Sequence, residues 1–207
     1  VDGTKNVLEA CKKNNVKKIV IASSAAVYGE GMYGMKLKEN TKTDPVSPYG
    51  KSKLIMEQEI EKNILKYNKL DCVILRFFNI FGVGQTSEYA GVITKFVKRI
   101  LSDKPLEVFG DGMQTRDFVS IHDIVESINA AIKNGKNGTY NIASGKAITI
   151  NELAEFMMSL SGKNLEIRHI SEKHGDIRSS EADISLAKNK IGYIPKLGLN
   201  EIKTLLE

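Results

Sequence analysis

Apolar positions along the chain follow two periods. Short β-branched and aromatic runs at 17–23, 71–77, 106–109, 115–120, 138–143 and 165–170 predict strands. Between them, stretches at 4–14, 49–67, 89–102, 122–134, 150–161, 184–191 and 199–206 carry the apolar spacing of helices. Asp123 and Asn151 stand near helix starts, while Gly135, Gly162 and Gly192 follow helix ends. Strands alternating with helices predict an α/β fold on a parallel sheet. The loop 78–88 marks an exit from that sheet to a smaller part of the chain.

Composition narrows the partners. Over 207 residues, 42% are hydrophobic and 27% charged, ordinary for a chain that buries a core. No apolar run approaches the ~18 residues needed to span a membrane, and no signal peptide is visible, which predicts a cytoplasmic protein. Cys11 and Cys72 fall in a predicted helix and at a predicted strand start, and read as buried thiols in a reducing compartment. The net charge of +5 suits an anionic ligand. Nucleic acid fits poorly, because Lys12, Lys13, Lys17 and Lys18 are scattered with no interleaved aromatic platform. His122, His169 and His174 show no metal-ligand spacing, so no metal is expected.

The chemistry concentrates in two motifs. The first strand runs into Ser23-Ser24-Ala25-Ala26-Val27-Tyr28-Gly29, and a later helix begins with Tyr49-Gly50-Lys51-Ser52-Lys53. Residues i and i+4 share a helix face, so Tyr49 and Lys53 are expected to point into one pocket. A free phenol, with a pKa near ~10, is a poor base at neutral pH, and a fixed cation beside it favours the ionised form. Lowering a phenol by roughly 3 units needs only about 4 kcal/mol. A hydroxyl such as that of Ser24 then relays a proton between substrate and tyrosine. This is machinery for taking a proton from an alcohol while a hydride leaves elsewhere.

With the strand and the serine motif ahead of it, the Tyr-x-x-x-Lys pair resembles the catalytic signature of the extended short-chain dehydrogenase/reductases, and most of all the UDP-glucose 4-epimerase-like enzymes of the NAD-dependent epimerase/dehydratase family. Three more segments, in order, are similar to that family's: Leu75-Arg76-Phe77-Phe78-Asn79-Ile80-Phe81-Gly82, the stretch from Phe109-Gly110-Asp111-Gly112 to Thr115-Arg116-Asp117-Phe118-Val119, and Gly175-Asp176 with Ala182-Asp183. The resemblance implies a partial Rossmann fold, a doubly wound parallel sheet lacking its first strands, with a small α/β substrate-binding lobe. Residues 1–80 would belong to the NAD-binding part and 81–207 to the nucleotide-sugar lobe, with 122–143 returning to the sheet. The family's first strand and Gly-x-x-Gly-x-x-Gly turn are not found, so the chain is expected to be part of a longer enzyme.

The resemblance also assigns roles. Ser24, Tyr49 and Lys53 are the catalytic set. Ser23, Tyr49, Lys53 and Phe77 lie against NAD. Ser24, Asn79, Phe109, Arg116, Lys173, Asp176 and Ser180 meet the UDP-sugar. The side chains support several of these. Asn79 is an amide after a buried run and needs a partner. Phe109 offers a face for a base, at roughly 1–3 kcal/mol per stacked base. The planar fork of Arg116 suits phosphate. Lys173 stands where the family has arginine, keeping the charge but losing bidentate geometry, with Arg178 nearby to share the load. Relatives that dehydrate sugar nucleotides carry Asp-Glu at the position of Ala25-Ala26, and methyl groups transfer no protons. Reversible oxidation at carbon 4 of the sugar therefore remains, giving a 4-epimerase for UDP-glucose and UDP-galactose. A small Ser180 side chain leaves room for the N-acetylated pair. A sugar-nucleotide reductase or decarboxylase, or a non-catalytic nucleotide-binding relative, are the alternatives. Leu54, Ile55, Ile60, Ile64 and Leu65 spread over more than one stripe of helix 49–67, and the family pairs this helix with 4–14 across a homodimer axis.

Overall fold

The computed structural model describes residues 1–66, 70–85, 91–172 and 175–207, with backbone alone for 63–66. Three parallel strands form the central sheet: β1 (Lys18–Ser24), β2 (Asp71–Phe77) and β6 (Gly138–Ile142), in the order β1-β2-β6. Cys72, Val73, Ile74 and Leu75 in β2 are all essentially inaccessible, as expected of a parallel strand covered on both faces. Alternation along β2 divides the core. Cys72 and Ile74 meet Leu8 of α1 (Asp2–Lys13) and Met56 and Ile60 of α2 (Pro48–Lys66). Val73 and Leu75 face the other way, onto Ile124 and Ala131 of α4 (Ile121–Asn134) and Ala187 and Ile191 of α6 (Ser185–Ile191).

A second group of elements builds a separate core around Phe96, Leu106 and Met157. β3 (Asn79–Phe81) pairs in parallel with β5 (Thr115–Ser120), and β5 pairs antiparallel with β7 (Ala147–Thr149). β4 (Leu106–Phe109) pairs with β8 (Ile167–Ile170), beside α3 (Val92–Leu101) and α5 (Ile150–Ser161). The caps follow local chemistry. Thr149 and Glu152 close a reciprocal capping box on α5, and Gly162 ends it at φ 68°, a conformation without steric cost only for glycine.

Most elements lie within one to three residues of their predicted limits. Three differ in kind. The 199–206 segment is a 3-10 helix, Leu199–Leu205, rather than an α-helix. β3 and β7 are too short for a period to register. The helix caps near Asp123 and Asn151 are Ser120 and Thr149; Asp123 is buried and accepts from the amides of Lys196 and Leu197.

Candidate active site

β1, β2 and β6 end level with one another, with Ser24 opposite Phe77 and Phe77 opposite Ile142. Ligands of open α/β sheets sit beyond such carboxyl ends. Ser24 leaves β1 as the cap of the 3-10 turn Ala25–Val27, its Oγ accepting from the Ala26 amide at 3.2 Å. That bond uses a lone pair and leaves the hydroxyl proton for a substrate. Phe77 is partly buried against the Val73–Leu75 side of the core.

α2 meets this turn through glycine. A Cβ on Gly50 would stand 2.4 Å from the Ala26 carbonyl oxygen and 2.9 Å from Pro45 Cβ. Only a residue without a side chain allows the helix start to come so close, and Tyr49 precedes it. Tyr49 is 57% exposed. Lys53, one turn later, donates from Nζ to the Ala22 carbonyl at 2.9 Å, and its ammonium lies 5.8 Å from the Tyr49 ring centroid. Two ammonium protons remain for other acceptors.

A further turn on, Glu57 is buried and tied to both strands. Arg76 reaches it at 2.6 Å, Ser23 Oγ donates to it at 2.5 Å, and a second Arg76 nitrogen donates to the Tyr28 hydroxyl at 2.9 Å. Tyr28 in turn donates to Asn141 at 2.6 Å, and burial pushes its phenol up to about 12. Ser23 is thus buried with its hydroxyl engaged by Glu57, and Ser24 is the serine that reaches the open end of the sheet.

Beyond the strand ends lies a cavity of about 450 Å³, whose lining includes Asn79, Lys95, Phe109, Gln114, Arg116 and Asp176. Asn79 donates to the Asp117 carbonyl at 3.0 Å, and Arg116 donates to Asp176 at 2.6 Å. The structure therefore brings Asn79, Phe109, Arg116 and Asp176 together, apart from the Ser24–Tyr49–Lys53 group. Ser180, only 7% exposed, sits in a seam outside the cavity lining. In that seam Leu37 bridges Ala182, Gly31 donates to the Ser179 carbonyl, and the Glu30 carboxylate accepts from the amides of Arg178 and Ser179. Lys173 lies outside the described residues. Among the described residues no cluster of potential metal ligands occurs, and no helix is long and apolar enough to cross a membrane.

Sequence reading missed the Glu57–Arg76 pair, Glu30 and Lys95. The first had a signal: Glu57 continues the Tyr49–Lys53 face at i+4, and Arg76 interrupts an apolar strand, where a charge needs a buried partner.

A tyrosine and lysine on one helix face, a serine at the end of a parallel strand and a separate cavity lined by Asn79, Phe109, Arg116 and Asp176 mark a protein of the short-chain dehydrogenase type. The chain belongs to the NAD dependent epimerase/dehydratase family, whose model matches residues 1–143. It is 37% identical to the UDP-N-acetylglucosamine 4-epimerase of Methanobrevibacter ruminantium, solved with UDP-N-acetylmuramic acid, at a TM-score of 0.92 over 99% of this chain and 67% of that one. The UDP-glucose 4-epimerase of Thermotoga maritima, solved with UDP-glucose, superimposes at 0.93 with 32% identity, covering 99% of this chain and 66% of that one. The UDP-glucose 4-epimerase of Bacillus subtilis is 32% identical over 97% of this chain. The chain spans 64% of that relative's length and 65% of the length of a relative from Methanocaldococcus jannaschii.

The residues present fit the nicotinamide end of NAD. Lys53 keeps two ammonium donors beyond its bond to Ala22, enough for a ribose diol, and the exposed Tyr49 ring lies 5.8 Å from that ammonium. The pyrophosphate end has no Gly-x-x-Gly-x-x-Gly turn within these 207 residues.

Proposed function

We propose that this chain forms the catalytic and substrate-binding part of an NAD-dependent nucleotide-sugar 4-epimerase acting on UDP-glucose and UDP-galactose, and on their N-acetylated counterparts. The observation that carries the reading is the placement of Lys53 between the Ala22 carbonyl and the Tyr49 ring, at the strand end where Ser24 turns outward. Tyr49 removes the proton of the sugar's 4-hydroxyl, with the Ser24 hydroxyl as relay, and Lys53 holds the phenolate by its charge. NAD, when bound, would supply the hydride acceptor and donor for carbon 4 of the sugar. Ala25 and Ala26 offer no acid or base for elimination of water, which supports epimerisation over dehydration.

Phe109, Arg116, Asn79 and Asp176 receive the nucleotide in the 450 Å³ cavity, with Ser23 and Phe77 supporting the cofactor side and Lys173 adding charge. The division at about residue 80 is supported by the two separate cores, and the return of 122–143 by the pairing of β6 with β2. The complete enzyme works as a homodimer through α1 and α2, where Val7 and Ile55 leave apolar side chains exposed. Light scattering showing a monomer at micromolar concentration would overturn the dimer. The activity is tested by incubating the complete enzyme with UDP-glucose and following products by NMR. An equilibrium mixture with UDP-galactose supports the reading, and net NADH turnover makes the enzyme a reductase.

A further inference from the structure

We propose that Lys95 is a direct ligand of the substrate's diphosphate. The inference rests on the nucleotide-sugar reading of the cavity and adds a residue to which neither the sequence motifs nor the family resemblance gives a role.

Four charged side chains line the cavity: Lys95, Glu107, Arg116 and Asp176. Three already have partners of opposite sign. Glu107 is paired with Arg99. Arg116 donates from one terminal nitrogen to Asp176 at 2.6 Å and from the other to the Thr115 carbonyl at 2.8 Å, so both terminal nitrogens of its fork are engaged within the protein. Among the described residues, Lys95 is the cavity cation with no carboxylate partner, and its recorded contact is with the Phe109 ring, 5.8 Å from Nζ to the centroid. Among the described residues, Glu107 is balanced by Arg99 and Arg116 by Asp176, which leaves the Lys95 charge at the cavity without a carboxylate partner.

The backbone reinforces the placement. Lys95 lies in α3, whose first turn, with Gly91, Val92 and Ile93, forms the same wall. A helix N-terminus carries partial positive charge and backbone donors that favour an anion. The ring beneath Lys95 is also the proposed platform for the base. A base on that face and the ammonium compete for it, and a flexible four-carbon stem lets the ammonium move to the neighbouring phosphates instead. A diphosphate meets Lys95 without an internal ion pair to compete with, whereas Arg116 shares its charge with Asp176.

The test compares the complete enzyme with Lys95→Met and Lys95→Arg by calorimetric titration with UDP, uridine and inorganic pyrophosphate. The expected result for Lys95→Met is a Kd for UDP weakened by roughly tenfold or more, the scale of a hydrogen bond to a charged group. Uridine affinity stays unchanged, pyrophosphate affinity falls with that of UDP, and Lys95→Arg stays close to the parent. Unchanged UDP affinity in Lys95→Met overturns the proposal. So does an equal loss for uridine, which would place Lys95 on the base. Equal thermal melting of the three proteins guards against misfolding. If the parent binds pyrophosphate but shows no preference for UDP or UDP-sugars, the nucleotide-sugar reading fails while the pyrophosphate comparison still decides the role of Lys95.

Discussion

Glu57 lies one helical turn beyond Lys53 and closes on Arg76 of the neighbouring strand at 2.6 Å, both side chains buried. This pair fixes the rotation of α2 about its axis, and so the direction in which Tyr49 and Lys53 project from the same face. Replacing one partner strands a buried charge. Glu57→Gln or Arg76→Met should each destabilise by about 3–5 kcal/mol, with Glu57→Leu combined with Arg76→Met recovering much of the loss. Denaturant unfolding of the three variants checks this. In the complete enzyme the single variants should lower kcat more than they raise KM, since the pair touches the catalytic helix and not the nucleotide cavity.

Tyr49→Phe removes the proton acceptor and retains the ring. Turnover in the complete enzyme should fall by orders of magnitude, with UDP affinity nearly unchanged. Equal rates for the two proteins would sink the assignment.

Gly50→Ala tests the contact between helix and turn. The added methyl would enter a space only 2.4 Å from the Ala26 oxygen, so α2 must shift. A cost of about 1–3 kcal/mol is expected, typical of overpacking, along with a lower kcat from displacement of Tyr49 relative to Ser24. Thermal melting and steady-state kinetics report the two effects separately.

Much of this was legible in the sequence because β2 and its helices carry unbroken apolar signals, and because the catalytic pair is local, four residues apart on one helix. What escaped is non-local. The hydroxyl of Ser23 is engaged by Glu57, 34 positions away. Arg116 has its carboxylate partner in Asp176, 60 positions on. Spacing along a chain carries no information about such partners until strands and seams bring them together.

Asp117 should give stability an unusual pH slope. It is fully buried, and burial lifts its carboxyl to about 6, although Ser144, Gly145 and Ala182 all donate to it. An unfolded aspartate titrates near ~3.9, so between about pH 4 and 6 the native state holds the extra proton. This group's contribution therefore falls as pH rises through that window, by about 3 kcal/mol in total. Unfolding free energies from pH 4 to 7 should show the decline, and Asp117→Asn should lack it.

Ser180→Tyr addresses sugar size. The parent is expected to accept UDP-GlcNAc alongside UDP-glucose. Because Ser180 is buried in the seam outside the cavity lining, thermal melting of the variant must accompany kcat/KM for both sugars, to separate an effect on sugar size from disruption of the seam. If the parent already rejects UDP-GlcNAc, room at Ser180 does not govern the choice.

The seam between residues 30–37 and 178–183 also bears on the order of assembly. The loop that follows the catalytic serines takes its hydrogen-bond partners from a segment almost 150 positions later, including the Glu30 bonds to the amides of Arg178 and Ser179. On a ribosome, the serine strand and its helices emerge long before that partner exists. Contacts of such sequence separation close late and slowly. During synthesis the loop therefore waits with its backbone groups satisfied by water until residues 178–183 have joined it.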